Sequence, residues 1–136
     1  MDSSALAKRY IQEAGSDKLA SLLLNASELA LCIIVVPEIV SGLNRRMREG
    51  FLAVADYRAA KRQLLDDVRD ATILQITPAV VSRSLRLLEN GNLRAMDALH
   101  VACALEWRSD LFVTSDSRQS LAAGNAGLRS EYLGNS

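Results

Sequence analysis

The run Leu93-Arg-Ala-Met-Asp-Ala-Leu-His-Val-Ala-Cys-Ala-Leu105 is almost entirely small and apolar, yet it carries one carboxylate, Asp97. A carboxylate amid that much hydrocarbon must face water, pair with something, or bind a cation. Two further acids follow predicted strands: Glu38 after Leu31–Val36, and Asp116 after Leu111–Thr114. A fourth, Asp2, directly precedes a predicted helix. Ligands of open parallel sheets bind where strands turn into helices, and carboxylates clustered there suit hard cations such as Mg²⁺ or Mn²⁺.

Each acid also has a plainer explanation. Asp2 and Asp116 stand at helix starts, where a carboxylate caps the backbone and gains ~0.3–1 kcal/mol from the helix dipole. Asp97 lies a turn inside its predicted helix, where capping does not apply. Helical spacing puts Arg94, Asp97, His100 and Val101 on one face, with Leu99, Ala102 and Cys103 opposite. A surface pair between Asp97 and Arg94 would then also account for it. Periodicity leaves both readings open.

Other chemistries find no support. There is no Gly-rich phosphate loop, His-Glu-x-x-His, Cys-x-x-Cys or nucleophile elbow. A single histidine excludes a His-rich zinc site. The Asp-x-Asp of an aspartyl phosphatase is absent after the strands. Any enzyme built from this chain works with carboxylates.

The elements that must position these acids follow from pattern and punctuation. Ser4 to Glu13 predicts a short amphipathic helix, broken at Ala14-Gly15-Ser16, and Asp17 starts a second helix to about Asn25. The β-branched run Leu29–Val36 predicts a buried parallel strand, ended by Pro37. Helices follow at Glu38–Glu49 and about Ala53–Val68, then a strand over Thr72–Ile76 and a helix from Thr77-Pro78 to Glu89. After the turn Asn90-Gly91-Asn92 come the Asp97 helix, the strand Leu111–Thr114, a helix from Ser115-Asp116 to near Gly124, and a last short strand within Gly127–Tyr132. Strands alternating with helices predict an α/β fold around a parallel sheet, as one domain over residues 1–136.

Composition agrees. Hydrophobic residues make up 49% and aromatics only 4%, which gives an aliphatic core in a globular chain. Sixteen basic residues balance sixteen acidic ones, so attraction to a polyanion would need local clusters. Cys32 and Cys103 fall in apolar runs and read as buried thiols. With no signal peptide and no apolar run near the ~20 residues of a membrane span, a cytoplasmic protein is expected.

The motifs Asp2-Ser-Ser-Ala-Leu-Ala-Lys-Arg-Tyr, Val36-Pro-Glu38, Arg94-Ala-Met-Asp-Ala-Leu-His-Val-Ala and Val113-Thr-Ser-Asp116, in that order, resemble the PIN-domain family. More narrowly they resemble the VapC-type toxins of toxin–antitoxin pairs. The resemblance implies a three-layer α/β/α sandwich with a short, mostly parallel central sheet. It implies an Mg²⁺- or Mn²⁺-dependent ribonuclease whose catalytic and metal-binding acids are Asp2, Glu38, Asp97 and Asp116. Ser4, and Thr114 or Ser115, match supporting hydroxyls. A VapB-type antitoxin, an RNA substrate and a homodimer are implied as partners.

One departure stands out. The family reaches its first acid through a central N-terminal strand, and here Asp2 follows Met1 directly. That strand is expected to be missing, through truncation of a longer chain or reduction of the fold. Lys8, Arg9, Arg45, Arg46 and Arg94, with Arg48 beside them, are candidates for holding RNA phosphates if the acids converge. The alternative is a catalytically inactive or truncated domain of the same fold that binds a partner protein. In that case the acids are caps and surface charges.

Overall fold

The computed structural model describes residues 1–134. Helix α1 (Ser3–Leu6) passes into a single 3-10 turn (Ala7–Arg9), followed by α2 (Ser16–Asn25) and strand β1 (Ala30–Cys32). Helices α3 (Val35–Arg48) and α4 (Val54–Asp70) lead to β2 (Thr72–Leu74). Then come α5 (Pro78–Asn90), α6 (Ala95–Trp107), β3 (Phe112–Thr114), α7 (Ser117–Asn125) and β4 (Ser130–Tyr132).

The predicted order of elements holds, and its boundaries move for local reasons. The first helix is shorter than Ser4–Glu13. Gly15 takes a left-handed φ of +92°, and a Cβ there would lie 2.7 Å from the Leu133 carbonyl oxygen. Only glycine fits that close approach. The predicted strand Leu29–Val36 stops at Cys32, because Val35 already begins α3. Pro37 falls within the first turn of α3, where N–H groups have no intrahelical partner to lose. At α5, Thr77 Oγ1 accepts the Val80 N–H at 3.2 Å and Pro78 is the first helical residue, as its sequence predicts.

Strands β1 and β2 pair in parallel, as do β3 and β4, but the two pairs share no ladder. Alternating side chains cover both faces of each pair. Leu31 packs with Val35, Ile39 and Leu64 of α3 and α4, whereas Cys32 faces Val80, Ala102 and Cys103 of α5 and α6. In the other pair Phe112 meets Val101 and Ala123, while Val113 meets Ala5, Leu19 and Leu133. This is the predicted α/β/α sandwich, its middle layer split into two pairs. Burying a side chain such as Leu31 or Leu64 completely contributes about 1.5–3 kcal/mol each.

Helix α6 ties the pairs together, since it packs on β1 through Ala102 and Cys103 and on β3 through Val101. Ala98, His100, Val101, Ala102, Cys103 and Ala104 are all buried. Of the two readings that periodicity left open, a surface face does not extend to His100 and Val101, which are buried although they share a face with Arg94 and Asp97. The gap between the pairs is spanned by two residues. The Met1 amino group donates to Ala30 O at 3.4 Å, and the Asp2 N–H donates to Val113 O at 3.1 Å. Met1 and Asp2 thus lie between the two strand pairs and bond to both.

Candidate active site

The split layer decides where the acids go. Asp2 is held at the carboxyl end of β3 by its backbone bond to Val113, and its side chain is completely buried. Its carboxylate accepts from Ser4 Oγ at 2.8 Å, Thr114 Oγ1 at 2.7 Å and the Ala5 N–H at 3.0 Å. Asp2 is thus the N-cap of α1 as well as the centre of a hydroxyl network. Burial raises its pKa above the ordinary range, against the lowering effect of those donors. Ser4 Oγ in turn accepts the Ser115 N–H at 3.0 Å, and Thr114 Oγ1 accepts the Asp116 N–H at 3.0 Å. The predicted hydroxyls Ser4 and Thr114 therefore link the first acid to the last; Ser115 contributes its backbone.

Glu38 projects from the start of α3 and meets two residues that sequence reasoning did not select. Ser3 Oγ donates to Glu38 Oε1 at 2.7 Å, and His100 Nε2 hydrogen-bonds the same oxygen. With Nε2 facing a carboxylate, the proton belongs on that nitrogen, and Nδ1 is left buried without a partner among the described residues. Burial works to raise the Glu38 pKa, but the bonds from His100 and Ser3 outweigh it and hold the group below its usual value. The signal for His100 was its position three residues after Asp97 on one face of the helix.

Asp97 lies in the first turn of α6, since the helix starts at Ala95 and Arg94 is the N-cap. Capping does apply to it, which corrects the expectation from the sequence. Asp97 Oδ2 accepts the Arg94 backbone N–H at 3.4 Å rather than pairing with the Arg94 side chain. Oδ1 accepts from Gln119 Nε2 of α7 at 2.9 Å. Asp116 caps α7 by accepting the Arg118 N–H at 2.9 Å. The Arg118 guanidinium spans both acids, with Nη2 3.3 Å from Asp116 Oδ2 and 3.9 Å from Asp97 Oδ2. Burial pushes the Asp116 pKa upward, but hydrogen bonds from Arg118 prevail and keep it low.

The four acids thus sit at the carboxyl ends of β1 and β3 and in the first turns of α3 and α6, joined in two linked groups. Oxygen donors of this kind match a hard divalent ion in chemistry. Their placement does not match one: among the described residues, no three of His, Cys, Asp and Glu come together as a ligand set. Each carboxylate is satisfied by a donor from the chain itself.

The basic candidates are scattered. Lys8 is buried and its ammonium is held by Ala14 O at 2.7 Å and Glu13 at 3.3 Å. Arg9 pairs with Asp67 of α4 at 2.7 Å. Arg45, Arg46 and Arg48 are exposed in the last turn of α3, about 10–15 Å along the helix from Glu38. Arg94 is exposed beside Asp97. Arg118 touches two of the acids, although sequence reasoning passed over it.

The PIN domain profile matches residues 1–125, and the chain belongs to that family. No curated protein matches it. Among solved structures, a chain of a toxin–antitoxin complex from Klebsiella pneumoniae is similar at 17% identity, with 87% of this chain and 86% of that one covered and a TM-score of 0.65. Mycobacterium tuberculosis VapC20, described as a sarcin–ricin loop cleaving toxin, is similar at 17% identity over 93% of each chain, with a TM-score of 0.69. At that identity the likeness is one of fold. No described helix is long and apolar enough to cross a membrane.

Proposed function

We propose that this protein is a ribonuclease that hydrolyses RNA phosphodiesters with Mg²⁺ or Mn²⁺, and is the toxin of a VapBC-type pair. The observation that carries the reading is the placement of Asp2, Glu38, Asp97 and Asp116 at the carboxyl ends of β1 and β3 and in the helix starts beside them, with Ser4 and Thr114 linking Asp2 to the backbone of Ser115 and Asp116. Family membership and the fold shared with VapC20 and with a chain of a toxin–antitoxin complex support it. A divalent ion, if held by Asp2, Glu38, Asp97 and Asp116, would supply positive charge for the phosphate under attack. The chain's part is to hold the carboxylates: α6 fixes Asp97, α7 fixes Asp116, and His100 with Ser3 orients Glu38. An RNA substrate, a VapB-type antitoxin, a homodimer and a cytoplasmic location complete the reading.

A second reading, a catalytically inactive domain that binds a protein partner, has one observation in its favour. Every acid of the site is engaged internally, and no described set of three could hold an ion. Cleavage of a panel of single-stranded and hairpin RNAs separates the two, with no metal, Mg²⁺ or Mn²⁺ and with Asp97→Asn alongside. Metal-dependent cleavage that the variant loses supports the nuclease. Folded protein that cuts nothing and gains no stability from either ion supports the binding module.

A further inference from the structure

A cavity of about 760 Å³ opens between α5, α7 and Leu105 of α6, within the ~300–1,000 Å³ range of small-ligand sites. Its floor is aliphatic: Leu87, Leu105 and Ala122 are partly buried, and Leu121 is 67% exposed. Its rim carries Arg83, Arg86 and Arg118 against a single acid, Glu89. In a chain of zero net charge, that is a local positive cluster of the kind attraction to a polyanion requires. Arg83 pairs with Glu106 and Arg118 with Asp116. Arg86 is exposed and has no acid paired with it among the described residues. Asn90, Asn92 and Asn125 add exposed amides, which both donate and accept hydrogen bonds.

The cavity adjoins the acids. Arg118 lines it, and the same guanidinium lies 3.3 Å from Asp116 and 3.9 Å from Asp97. On the other wall, Asn90-Gly91-Asn92 leads from α5 towards the helix that carries Asp97. A strand with one phosphate at the carboxylates therefore brings its neighbouring nucleotide to this cavity. The lining suits that guest. A guanidinium fork bonds two phosphate oxygens at once and also stacks on bases. Amides bond the edges of an unpaired base, and an aliphatic floor covers its face.

We propose that this cavity is a subsite for a nucleotide of single-stranded RNA that flanks the phosphate held at the acids, with Arg86 binding the backbone of that nucleotide. The choice of polymer rests on the ribonuclease reading above. An acidic peptide would meet the same arginines, but the exposed amides and the continuity with Asp97 and Asp116 favour RNA.

Binding of a labelled single-stranded RNA of about ten nucleotides, read by fluorescence anisotropy in EDTA, tests the subsite without cleavage. Arg86→Ala is expected to weaken binding roughly 3–10-fold and to flatten the slope of log Kd against log salt by about 0.7. Leu121→Glu places a carboxylate at an exposed floor position and should weaken binding at least as much. Arg62→Ala removes an exposed charge from α4 and should change neither affinity nor slope. No loss in Arg86→Ala, or an equal loss in Arg62→Ala, would overturn the subsite. So would an absence of RNA binding, or hexaglutamate binding in its place. Cleavage of the same RNA with Mn²⁺ judges the ribonuclease reading separately. Cleavage with an unchanged KM in Arg86→Ala removes the subsite and keeps the nuclease. Arg86-dependent binding with no cleavage keeps the subsite and removes the nuclease.

Discussion

His100 of α6 and Glu38 of α3, 62 residues apart in the chain, meet through Nε2 and Oε1, with Ser3 Oγ on the same carboxylate oxygen. This contact ties the helix that carries Asp97 to the helix that carries Glu38. Through it the chain's only histidine holds a carboxylate in place. Replacing His100 by Gln keeps a donor of similar reach, whereas Ala removes it. If the site is a nuclease, His100→Ala should lower kcat about 10–100-fold, the range for partners that orient reactive carboxylates. His100→Gln should recover much of the loss. Equal loss in both variants would sink the positioning role.

The same contact has a pH signature. Glu38 has a folded pKa below its ordinary 4.5, so it stabilises the fold above that value. The contribution is lost as pH falls through the folded pKa. Urea unfolding of wild type and Glu38→Gln from pH 7 down to pH 3 should show the wild-type advantage shrinking on the acid side. A constant difference across the range would contradict it.

Asp2 predicts the opposite sign. Its folded pKa is raised by burial above the ordinary 3.8, so the folded state binds the proton more tightly than the unfolded chain. Stability from this group is greatest at acid pH and falls as pH rises from about 3.8 through the folded value. Asp2→Asn retains an N-cap oxygen for Ala5 N–H and cannot ionise. The variant should therefore be more stable than wild type at pH 7 and should lack that decline. A less stable variant at pH 7 would show that the hydrogen bonds outweigh burial.

How far the sequence discloses this molecule depends on the kind of residue asked about. Helices and strands with strong punctuation, such as Thr77-Pro78 before α5, were legible because one residue supplies the cap and the next fits the first turn. The run Leu29–Val36 was not, because β-branched residues also tolerate the start of a helix when Val35 and Ile39 pack on Leu31 and Leu64. The acids were legible from their junctions, but their partners were not. Arg118 and Gln119 reach Asp97 only because α7 packs on α6, a contact between elements that no local pattern encodes. The burial of α6 on nearly all sides likewise depends on where its neighbours lie, and on the split sheet that it bridges.

Leu64 of α4 is fully buried against Leu31 and Val35 and tests whether the β1–β2 half of the fold carries its share of stability. Leu64→Ala should cost about 2–5 kcal/mol, the span for a buried leucine whose cavity cannot fully collapse. Chemical denaturation should show a lower midpoint with an unchanged slope. A loss below about 1 kcal/mol would mean that this half-core rearranges to fill the space.

Arg118 bears on whether the acidic site can open to a cation. Its guanidinium lies against both Asp116 and Asp97, so a divalent ion approaching those carboxylates meets a positive charge already there. The side chain is nearly half exposed, at 43%, and its removal leaves the core untouched. Asp116 and Asp97 remain held by the Arg118 backbone N–H and by Gln119. Arg118→Ala should therefore leave Tm almost unchanged and tighten Mn²⁺ binding several-fold, read by calorimetric titration at moderate salt. Arg118→Lys keeps a charge and should stay closer to wild type. If all three proteins bind Mn²⁺ equally, the guanidinium does not compete for the acids. If none binds, the metal-dependent reading of the site fails with it.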